Sequence, residues 1–369
     1  MTILIISHTE HYINAAGEVC GWGPTVREVD YLADTYGKVI HIACLDKKTP
    51  APRSASRYRS NHVEFVGIPI FGGPSLQDKL KILTLSPTVV RTVFKQLKRA
   101  DIFQFRSPTA MGTYLIPALT WCSTKKGWFK YAGNWAQKKK PLSYGFQKRF
   151  LERYQNRPVT INGRWNGQKK HVHTFENPSL TENDLKSGEA CLAKKNYNQA
   201  LIACFVGRLE SAKGVDRIIE NLSQLSKKGV TEVHFVGDGD QSKKYKSQTA
   251  NSSVNCIFHG FSDQSTVFEI YRLSHLLLLP TTASEGFPKV IAEAANFGCI
   301  PVVSNVSSIP QYINEKNGFV WDVSAGTFSA FLSEINFDSN LRNKAQSVRV
   351  FSELFTFEAL SKKLEKHVF

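Results

Sequence analysis

The chain has 369 residues and carries 47 Lys and Arg against 31 Asp and Glu, a net charge of +16 at pH 7. Hydrophobic residues make up 42% and charged residues 21%, which is ordinary for a globular protein and excludes disorder, collagen and coiled coil as the main architecture. The length favours two domains, at a typical ~100–200 residues each. No uncharged apolar run approaches the ~20 residues of a membrane-spanning helix. Residues 1–7 lack the basic segment of a signal peptide, so we interpret them as a first strand.

In the first half, short apolar runs alternate with helical patterns, which favours a parallel sheet with helices on both faces. The predicted strands are 2–7, 38–45, 63–66, 101–105, 128–132 and 171–175. The predicted helices are 25–36, 87–99 and 109–122. Residues 21–24, which read Gly-Trp-Gly-Pro, are predicted to form a loop before the first helix.

The alternation restarts after Glu-Asn-Pro-Ser at 176–179, which is a stop signal for regular structure. The predicted strands here are 200–206, 232–236, 255–259, 275–279 and 300–304. The predicted helices are 215–228, 265–273, 288–297 and 351–369. We expect a first domain over 1–176, a polar, Lys-rich linker over 177–199, a second domain over 200–345 and a C-terminal helix over 346–369 that returns to the first domain.

The seven cysteines are scattered, their number is odd and no CxxC occurs. This pattern argues against a disulfide framework and a structural zinc site, and it favours a reducing cytosol.

The excess charge lies entirely in the first half. Residues 1–176 hold 27 Lys and Arg against 11 Asp and Glu, and the rest of the chain is neutral. Within this half, residues 125–170 hold 13 basic residues and a single acid, Glu152, interleaved with nine aromatic residues. Such a field attracts an anionic partner, and basic plus aromatic composition suits both a membrane interface and single-stranded nucleic acid.

Two loops of the second half carry candidate chemistry. Arg208 and Lys213 flank the loop 207–214 between a strand and a helix, where two cations and a helix N-terminus suit a diphosphate. Glu285 lies in the loop before the helix 288–297, and Glu293 lies more than a turn into that helix. The two carboxylates can contact separate groups of one extended ligand. The competing interpretation is that these are ordinary solvated charges.

The segments FVGRLESAKGVDRII, FVGDGD, HGF and SEGFPKVIAEAANFGCIPVVSN follow one another over residues 205–305. In this order and spacing they resemble the donor-binding half of GT-B glycosyltransferases of the GT4 type, whose E-x7-E element Glu285 and Glu293 match. The resemblance covers about residues 200–320. It implies an α/β GT-B fold with two Rossmann-like domains across a cleft, and retention of anomeric configuration.

The resemblance also implies roles for individual residues. Arg208 and Lys213 would bind the diphosphate of a nucleotide-sugar donor, and Glu293 would bind its ribose. Glu285 and the backbone of Gly286, Phe287, Pro288 and Lys289 would hold the sugar. Residues 259–261, with Phe261, would lie near the base, and Gly207 and Gly237 would line the donor loops. Arg208, Lys213 and Glu285 are thus the candidate catalytic residues.

The first half matches the family less well. Gly21 and Gly23 form an altered version of a glycine-rich loop that approaches the donor phosphate in the family. The histidine that many members carry after a mid-domain strand is missing, so no catalytic histidine is assigned. His8 and His11, in the expected loop after the first strand, are candidates for the acceptor side, as are Arg106 and Asn134 at two strand ends.

A metal or cofactor is not expected. Asp238 and Asp240 form a DxD pattern, but their position after a strand matches the glycine loop of GT-B donor domains rather than a metal site. Gly237 and Gly239 alone also fall short of a dinucleotide-binding fingerprint.

The sequence therefore predicts a hexosyltransferase that uses a nucleotide-diphosphate sugar and a glycan acceptor, lipid-linked, in bacterial surface-polysaccharide assembly. Its expected location is the cytoplasm, peripheral at the anionic inner face of the cell membrane, without nucleic acid as a partner. Two alternatives stay open: a GT-B-like sugar epimerase or phosphorylase, and a basic RNA- or membrane-binding protein without catalysis.

Overall fold

The computed structural model describes residues 1–73, 76–337 and 340–369, without the side chains of residues 76–80. The chain forms two compact units, one of Met1–Phe175 with Ser361–Phe369 and one of Glu176–Leu360. Each unit is built on a mostly parallel sheet with helices between its strands. The predicted α/β class is thereby confirmed.

Within the described residues, the sheet of the first unit has nine strands. They are β1 (Ile3–Ile13), β2 (Val19–Trp22), β3 (Val39–Asp46), β4 (Ala55–Arg57), β5 (Val63–Ile68), β6 (Ile102–Ser107), β7 (Lys126–Tyr131), β8 (Val159–Ile161) and β9 (Val172–Thr174). The helices of this part are α1 (Gly23–Tyr36), α2 (Leu76–Leu97), α3 (Gly112–Trp121) and α4 (Leu142–Arg153). The parallel strands lie in the order β5-β3-β1-β6-β7-β8-β9, so the winding direction reverses between β1 and β6. β2 pairs antiparallel with the distal part of β1 and with β4.

The second unit contains a six-stranded sheet. Its strands are β10 (Leu201–Val206), β11 (Val230–Val236), β12 (Asn255–Gly260), β13 (Leu276–Leu279), β14 (Ile300–Ser304) and β15 (Phe319–Trp321). The helices from here to the end of the chain are α5 (Glu182–Lys194), α6 (Val215–Glu220), α7 (Leu222–Lys227), α8 (Ser242–Thr249), α9 (Gln264–Leu273), α10 (Lys289–Asn296), α11 (Phe328–Glu334), α12 (Leu341–Ser352) and α13 (Phe357–His367). All strand pairs are parallel, in the order β12-β11-β10-β13-β14-β15.

The buried strands show why the sheet forms where it does. β13 reads Leu-Leu-Leu-Leu, and all four side chains are buried. A strand covered on both faces has no polar alternation, which is typical of the centre of a parallel sheet. β13 therefore sits between β10 and β14 in the middle of the unit.

The segment predicted as a linker is instead part of the second unit. Thr181 and Asp184 form a capping box that starts α5: the Asp184 amide donates to Thr181 Oγ1, and the Thr181 amide donates to the Asp184 carboxylate. A Cβ on Gly188 would lie 2.3 Å from the Asn296 carbonyl oxygen, so α5 packs directly on α10. The Lys-rich composition was misleading because Lys195 is buried, with its Nζ donating to three backbone carbonyls.

Several boundaries also differ from the prediction. The expected loop at 21–24 contains the end of β2 and the start of α1, and β1 continues to Ile13. The helix expected over 215–228 is interrupted at Asn221, which separates α6 from α7. The single C-terminal helix is two helices, α12 and α13, joined by a 3₁₀ turn, and residues from Ser361 onward group with the first unit.

No helix among the described residues has both the length and the apolar character needed to cross a membrane. All seven cysteines lie within the described residues, and each is a free thiol.

Candidate functional site

The sheet order of the second unit marks where its site should lie. From β10 the chain winds outward to β11 and β12, and it then returns to β13 beside β10 and winds outward to the other side. The loops that follow β10 and β13 consequently leave on opposite sides, and the crevice between them is where ligands of such sheets bind. Both loops of the sequence prediction, 207–214 and 284–288, follow these two strands.

Backbone contacts fasten these two loops to each other. The Thr282 amide donates to the Ala212 carbonyl at 2.9 Å, and Thr281 Oγ1 donates to the same oxygen at 3.1 Å. A Cβ on Gly214 would lie 2.4 Å from the Pro280 carbonyl oxygen, and Gly214 has φ of +95°. Only glycine combines that backbone conformation with so close an approach.

A second glycine contact joins the loops after β10, β11 and β12. A Cβ on Gly237 would lie 1.9 Å from the Gly207 carbonyl oxygen. The Gly237 amide donates to the Gly260 carbonyl at 2.8 Å, and the next residue, Phe261, has 40% of its surface exposed. The predicted donor loops with Gly207, Gly237 and Phe261 therefore lie side by side at the carboxyl edge of the sheet.

Lys213 and Glu285 form an ion pair between the two principal loops. The Lys213 side chain is only 18% exposed, and burial lowers the pKa of its ammonium group, an effect that Arg208 reinforces and Glu210 opposes. Arg208 is 77% exposed and pairs with Glu210 at 3.2 Å. Arg208, Lys213 and Glu285 therefore lie close enough for their charges to interact. Lys213 is fixed by its ion pair with Glu285, whereas the Arg208 side chain is largely exposed to water.

Two serines that the sequence analysis did not single out support the Glu285 loop. The Glu285 amide donates to Ser307 Oγ at 3.1 Å, and Ser308 Oγ donates to the Gly286 carbonyl at 2.7 Å. Ser307 has φ of +55°, a left-handed conformation that costs a non-glycine residue about 1–3 kcal/mol. The available signal was their position directly after β14, whose carboxyl end lies beside that of β13.

At the start of α10, the side chains of Phe287 and Lys289 make contacts within the protein. The Phe287 ring is buried against Tyr312 and Phe355, at centroid distances of 5.0 and 4.8 Å, and Lys289 Nζ donates to the Pro178 carbonyl at 2.7 Å. The side chains of Phe287 and Lys289 therefore anchor the loop. Glu293, one turn further along α10, is 9% exposed.

In the first unit, the prediction that His8 and His11 lie in a loop after the first strand is wrong, because β1 continues to Ile13 and contains both residues. His11 belongs to β1 and is fully buried, with Nδ1 donating to the Thr9 carbonyl at 3.0 Å. Its Nε2 accepts from the Tyr58 hydroxyl at 2.8 Å, and that oxygen contacts His41 Nδ1 at 2.6 Å. Burial lowers the pKa of His11 to about 4. His11 is therefore a neutral core residue. Its polar side chain suggested a loop, but β1 is 11 residues long and places this side chain in the core.

The other first-unit candidates are less enclosed. His8 is half-buried, its Nε2 donates to the Phe71 carbonyl at 2.8 Å, and burial lowers its pKa. Arg106, at the end of β6, pairs with the buried Glu28 at 3.0 Å, which also binds Lys130. Asn134 follows β7, and its Oδ1 accepts from the Ala136 amide at 3.0 Å.

The two glycines near the first helix have local structural reasons. A Cβ on Gly21 would lie 2.3 Å from the ring of His11, its partner across β1 and β2. Gly23 is the first residue of α1, and its amide donates to the Ser54 carbonyl at 3.2 Å.

Asp238 is used within its own loop, where its Oδ1 accepts from the Gly239 amide at 2.8 Å and from Ser242 Oγ at 3.0 Å. Among the residues that the structure describes, no cluster of three or more His, Cys, Asp or Glu side chains has the spacing of a metal site.

Comparison with known proteins finds a family match within the second unit. Residues 193–347 match the family described as Glycosyl transferases group 1. The chain is 25% identical over 217 residues to the amylovoran biosynthesis glycosyltransferase AmsD of Erwinia amylovora, an alignment that covers 57% of this chain and 59% of AmsD. The chain thus matches less than two thirds of that relative's length.

Solved structures resemble the chain over almost its whole length. HepE of Anabaena in complex with UDP and glucose has a TM-score of 0.65 at 16% identity, over 99% of this chain and 98% of HepE. The sucrose-phosphate synthase of Thermosynechococcus elongatus has a TM-score of 0.68 at 15% identity, with the same coverage of each chain. The chain therefore has the GT-B fold, and residues 193–347 match the glycosyltransferase group 1 family.

Proposed function

We propose that this protein is a retaining GT4-type glycosyltransferase that moves a hexose from a nucleotide-diphosphate sugar to an acceptor glycan in bacterial surface-polysaccharide assembly. The observation that carries the proposal is the Lys213–Glu285 ion pair at the winding reversal of a sheet within a group 1 transferase domain. The polysaccharide role is supported by the name of AmsD, and the donor class by the UDP-glucose complex of HepE.

In this proposal the donor diphosphate takes the place of the Glu285 carboxylate beside Lys213. A diphosphate carries more negative charge than one carboxylate, so the exchange strengthens the Coulomb attraction to the buried ammonium group. Arg208 supplies a second cation from its exposed position. The two cations together stabilise the charge that grows on the leaving nucleotide as the glycosidic bond breaks.

The released Glu285 then accepts hydrogen bonds from hydroxyl groups of the sugar. The N–H groups of Gly286 and Phe287 lie before α10 and that of Lys289 lies at its first position, where N–H groups have no partner within the helix. Glu293 binds the ribose hydroxyls, and Phe261 lies beside the base. Gly207 and Gly237 allow the neighbouring loops to pack closely against each other, which leaves room for the nucleotide at the carboxyl edge of the sheet.

For the first unit we retain His8, Arg106 and Asn134 as acceptor-side candidates, because they follow or lie near the carboxyl ends of β6, β7 and the proximal part of β1. The proposed approach of Gly21 and Gly23 to the donor phosphate is retained as well. No histidine is assigned as a base. We further propose that no metal or cofactor takes part, since Lys213 and Arg208 supply the positive charge.

A surface of the first unit supports the proposal that the protein works at an anionic membrane on a lipid-linked acceptor. Exposed Phe146, Tyr154 and Trp121 surround the buried Phe150 ring, and exposed Leu142 lies one turn before Phe146 on α4. The Phe150 ring lies 5.8 Å from Phe146, 5.3 Å from Tyr154 and 5.0 Å from Trp121. We call this group the aromatic patch.

The aromatic patch is surrounded by basic residues. Exposed cations next to it along α4 and in the preceding loop are Lys138, Lys139, Arg149 and Arg153. An apolar patch with a basic border inserts at the headgroup level of an anionic bilayer, and its cations attract the lipid phosphates.

The central test of the proposal is turnover. Purified protein is incubated with a panel of nucleotide-diphosphate sugars, and released nucleoside diphosphate and glycosylated product are identified by mass spectrometry. We expect turnover of at least one donor, with UDP-glucose as the first choice, and the same rate after exhaustive EDTA treatment. A complete loss that Mn²⁺ restores would refute metal independence and would return Asp238 and Asp240 to consideration. No turnover of any donor would contradict the proposed function.

The second prediction concerns the two cations. Lys213→Ala should lower kcat by roughly 10²–10³, the usual effect of removing one positioned group that stabilises transition-state charge. Arg208→Ala should lower it less, because water weakens the field of an exposed guanidinium. Lys227→Ala is the matched control, since Lys227 is an exposed lysine just before the amino end of β11. Unchanged turnover in Lys213→Ala protein that remains folded by circular dichroism would contradict the assignment.

The third prediction concerns the membrane. In flotation assays the protein should bind phosphatidylglycerol-containing vesicles and not pure phosphatidylcholine, and binding should weaken with salt because each nearby Lys or Arg contributes about 1 kcal/mol that ions screen. Phe146→Ser should weaken binding, and Leu273→Ser, at an exposed leucine of the second unit, should not. Equal binding to neutral vesicles, or a preference for RNA, would count against the membrane proposal.

A further inference from the structure

A pocket of about 390 Å³ lies in the first unit, and its lining includes no residue of the aromatic patch. It is bordered by the loop after β7, the loop after β8 and one side of α4. Its chemistry-bearing residues are Trp135, Lys148, Glu152, Arg164, Trp165 and Gln168. The pocket therefore opens where two adjacent parallel strands end, which is the edge at which α/β sheets bind ligands, and its size suits a small-molecule ligand.

The indoles of the pocket have different roles. Lys148 Nζ lies 5.1 Å from the centre of the Trp135 ring, a cation–π contact that holds the ammonium group in the lining. Trp165 donates its Nε1 proton to the Asn162 carbonyl at 2.8 Å, so its indole offers a ligand only an apolar ring. Such a ring stacks on the C–H face of a sugar, because both surfaces are apolar and flat.

The loop after β8 is braced before any ligand arrives. The Trp165 amide donates to Gln168 Oε1 at 3.3 Å, and the Gln168 amide donates to the Trp165 carbonyl at 3.2 Å. Gln168 Nε2 also donates to the Val172 carbonyl at 2.6 Å, which ties the loop to β9. Binding therefore requires little ordering of this loop, which favours affinity for a small ligand.

The charges of the lining select the kind of sugar. Lys148 and Glu152 lie 3.5 Å apart, one turn from each other on α4, with 21% and 34% of their side chains exposed. Arg164 adds a second cation, so the lining holds two cations and one carboxylate. Glu152 can accept hydrogen bonds from sugar hydroxyls, and the surplus positive charge favours a ligand that carries an acid group.

We propose that this pocket binds an acidic pyranose, a sugar that bears a carboxylate, as part of the acceptor glycan. The proposal rests on the glycosyltransferase function argued above and names the acceptor class for it. The carboxylate pairs with Arg164 and Lys148, and the ring stacks on Trp165. Lys148 and Glu152 lie about a third of a turn around α4 from Leu142 and Phe146 at 100° per residue, so one helix presents the pocket beside the aromatic patch.

The test compares two ligands that differ only in the acid group, methyl β-D-glucuronoside and methyl β-D-glucoside, added to the full chain without donor. Binding is measured by saturation-transfer NMR and by tryptophan fluorescence. The glucuronoside should bind about tenfold more tightly, the usual order for one charge-assisted hydrogen bond. Arg164→Gln and Lys148→Met should each remove most of that difference and leave the glucoside unaffected, whereas Trp165→Ala should weaken both ligands.

The matched control lies outside the pocket. Lys126→Gln removes an exposed cation at the amino end of β7, so it should not change glycoside binding. Equal affinity for the two glycosides, or an unchanged glucuronoside affinity in Arg164→Gln, would overturn the proposal. Arg164 is an exposed residue, so its variant stays informative if Trp165→Ala does not fold.

Donor turnover, measured separately, distinguishes the two proposals. If nucleotide-sugar turnover persists while the protein does not prefer the glucuronoside, the acidic-sugar pocket is refuted and the transferase function stands. If glucuronoside binding is as expected but no nucleotide sugar turns over, the pocket stands as a glycan site and the transferase function fails.

Discussion

The reversal of winding direction between β10 and β13 is the constraint on which the second unit depends. Two adjacent parallel strands whose chains depart to opposite sides leave their carboxyl-end loops without a helix between them. A backbone contact of Gly214 with Pro280 fills that position, and Gly237 packs on Gly207 beside it, so neither Gly214 nor Gly237 has room for a side chain. Because the loops after β10 and β13 are held together in this way, charged residues of the two loops lie close to each other, and Lys213 forms an ion pair with Glu285.

The two units use charge differently. In the second unit there is no surplus of cations, and the important cation is a partly buried lysine that already has a carboxylate partner. In the first unit, part of the surplus of cations lies on exposed positions along α4 and in the loop before it. A charge held near its partner acts at short range on one ligand, whereas an exposed field acts over about a Debye length on extended anionic partners. This division is consistent with a donor site in one unit and acceptor and membrane contacts in the other.

Much of this arrangement could be predicted from the sequence, and the failures have physical causes. The apolar runs of β10 and β13 and the motif loops after them were predicted correctly, because a strand buried on both faces has an unambiguous composition. The prediction of a linker over 177–199 was wrong because composition does not show which residues pack together. Gly188 packs against α10, and the buried Lys195 donates to the Phe297 carbonyl just after that helix. The prediction that His11 is a loop residue on the acceptor side was wrong because its hydrogen-bond network, with Tyr58 and His41, joins residues that are distant in sequence. The supporting serines after β14 could be recognised only from strand order.

The central claim is that the diphosphate replaces Glu285 beside Lys213 while Glu293 holds the ribose. The most direct measurement is calorimetric titration of UDP, which lacks the sugar, into wild-type protein, Glu285→Gln and Glu293→Gln. Glu285→Gln should bind UDP at least as tightly as wild type, because the lysine loses its competing carboxylate, whereas Glu293→Gln should bind it more weakly by about tenfold, as expected for lost hydrogen bonds to a charged group. A loss of UDP affinity in Glu285→Gln with normal affinity in Glu293→Gln would contradict the account.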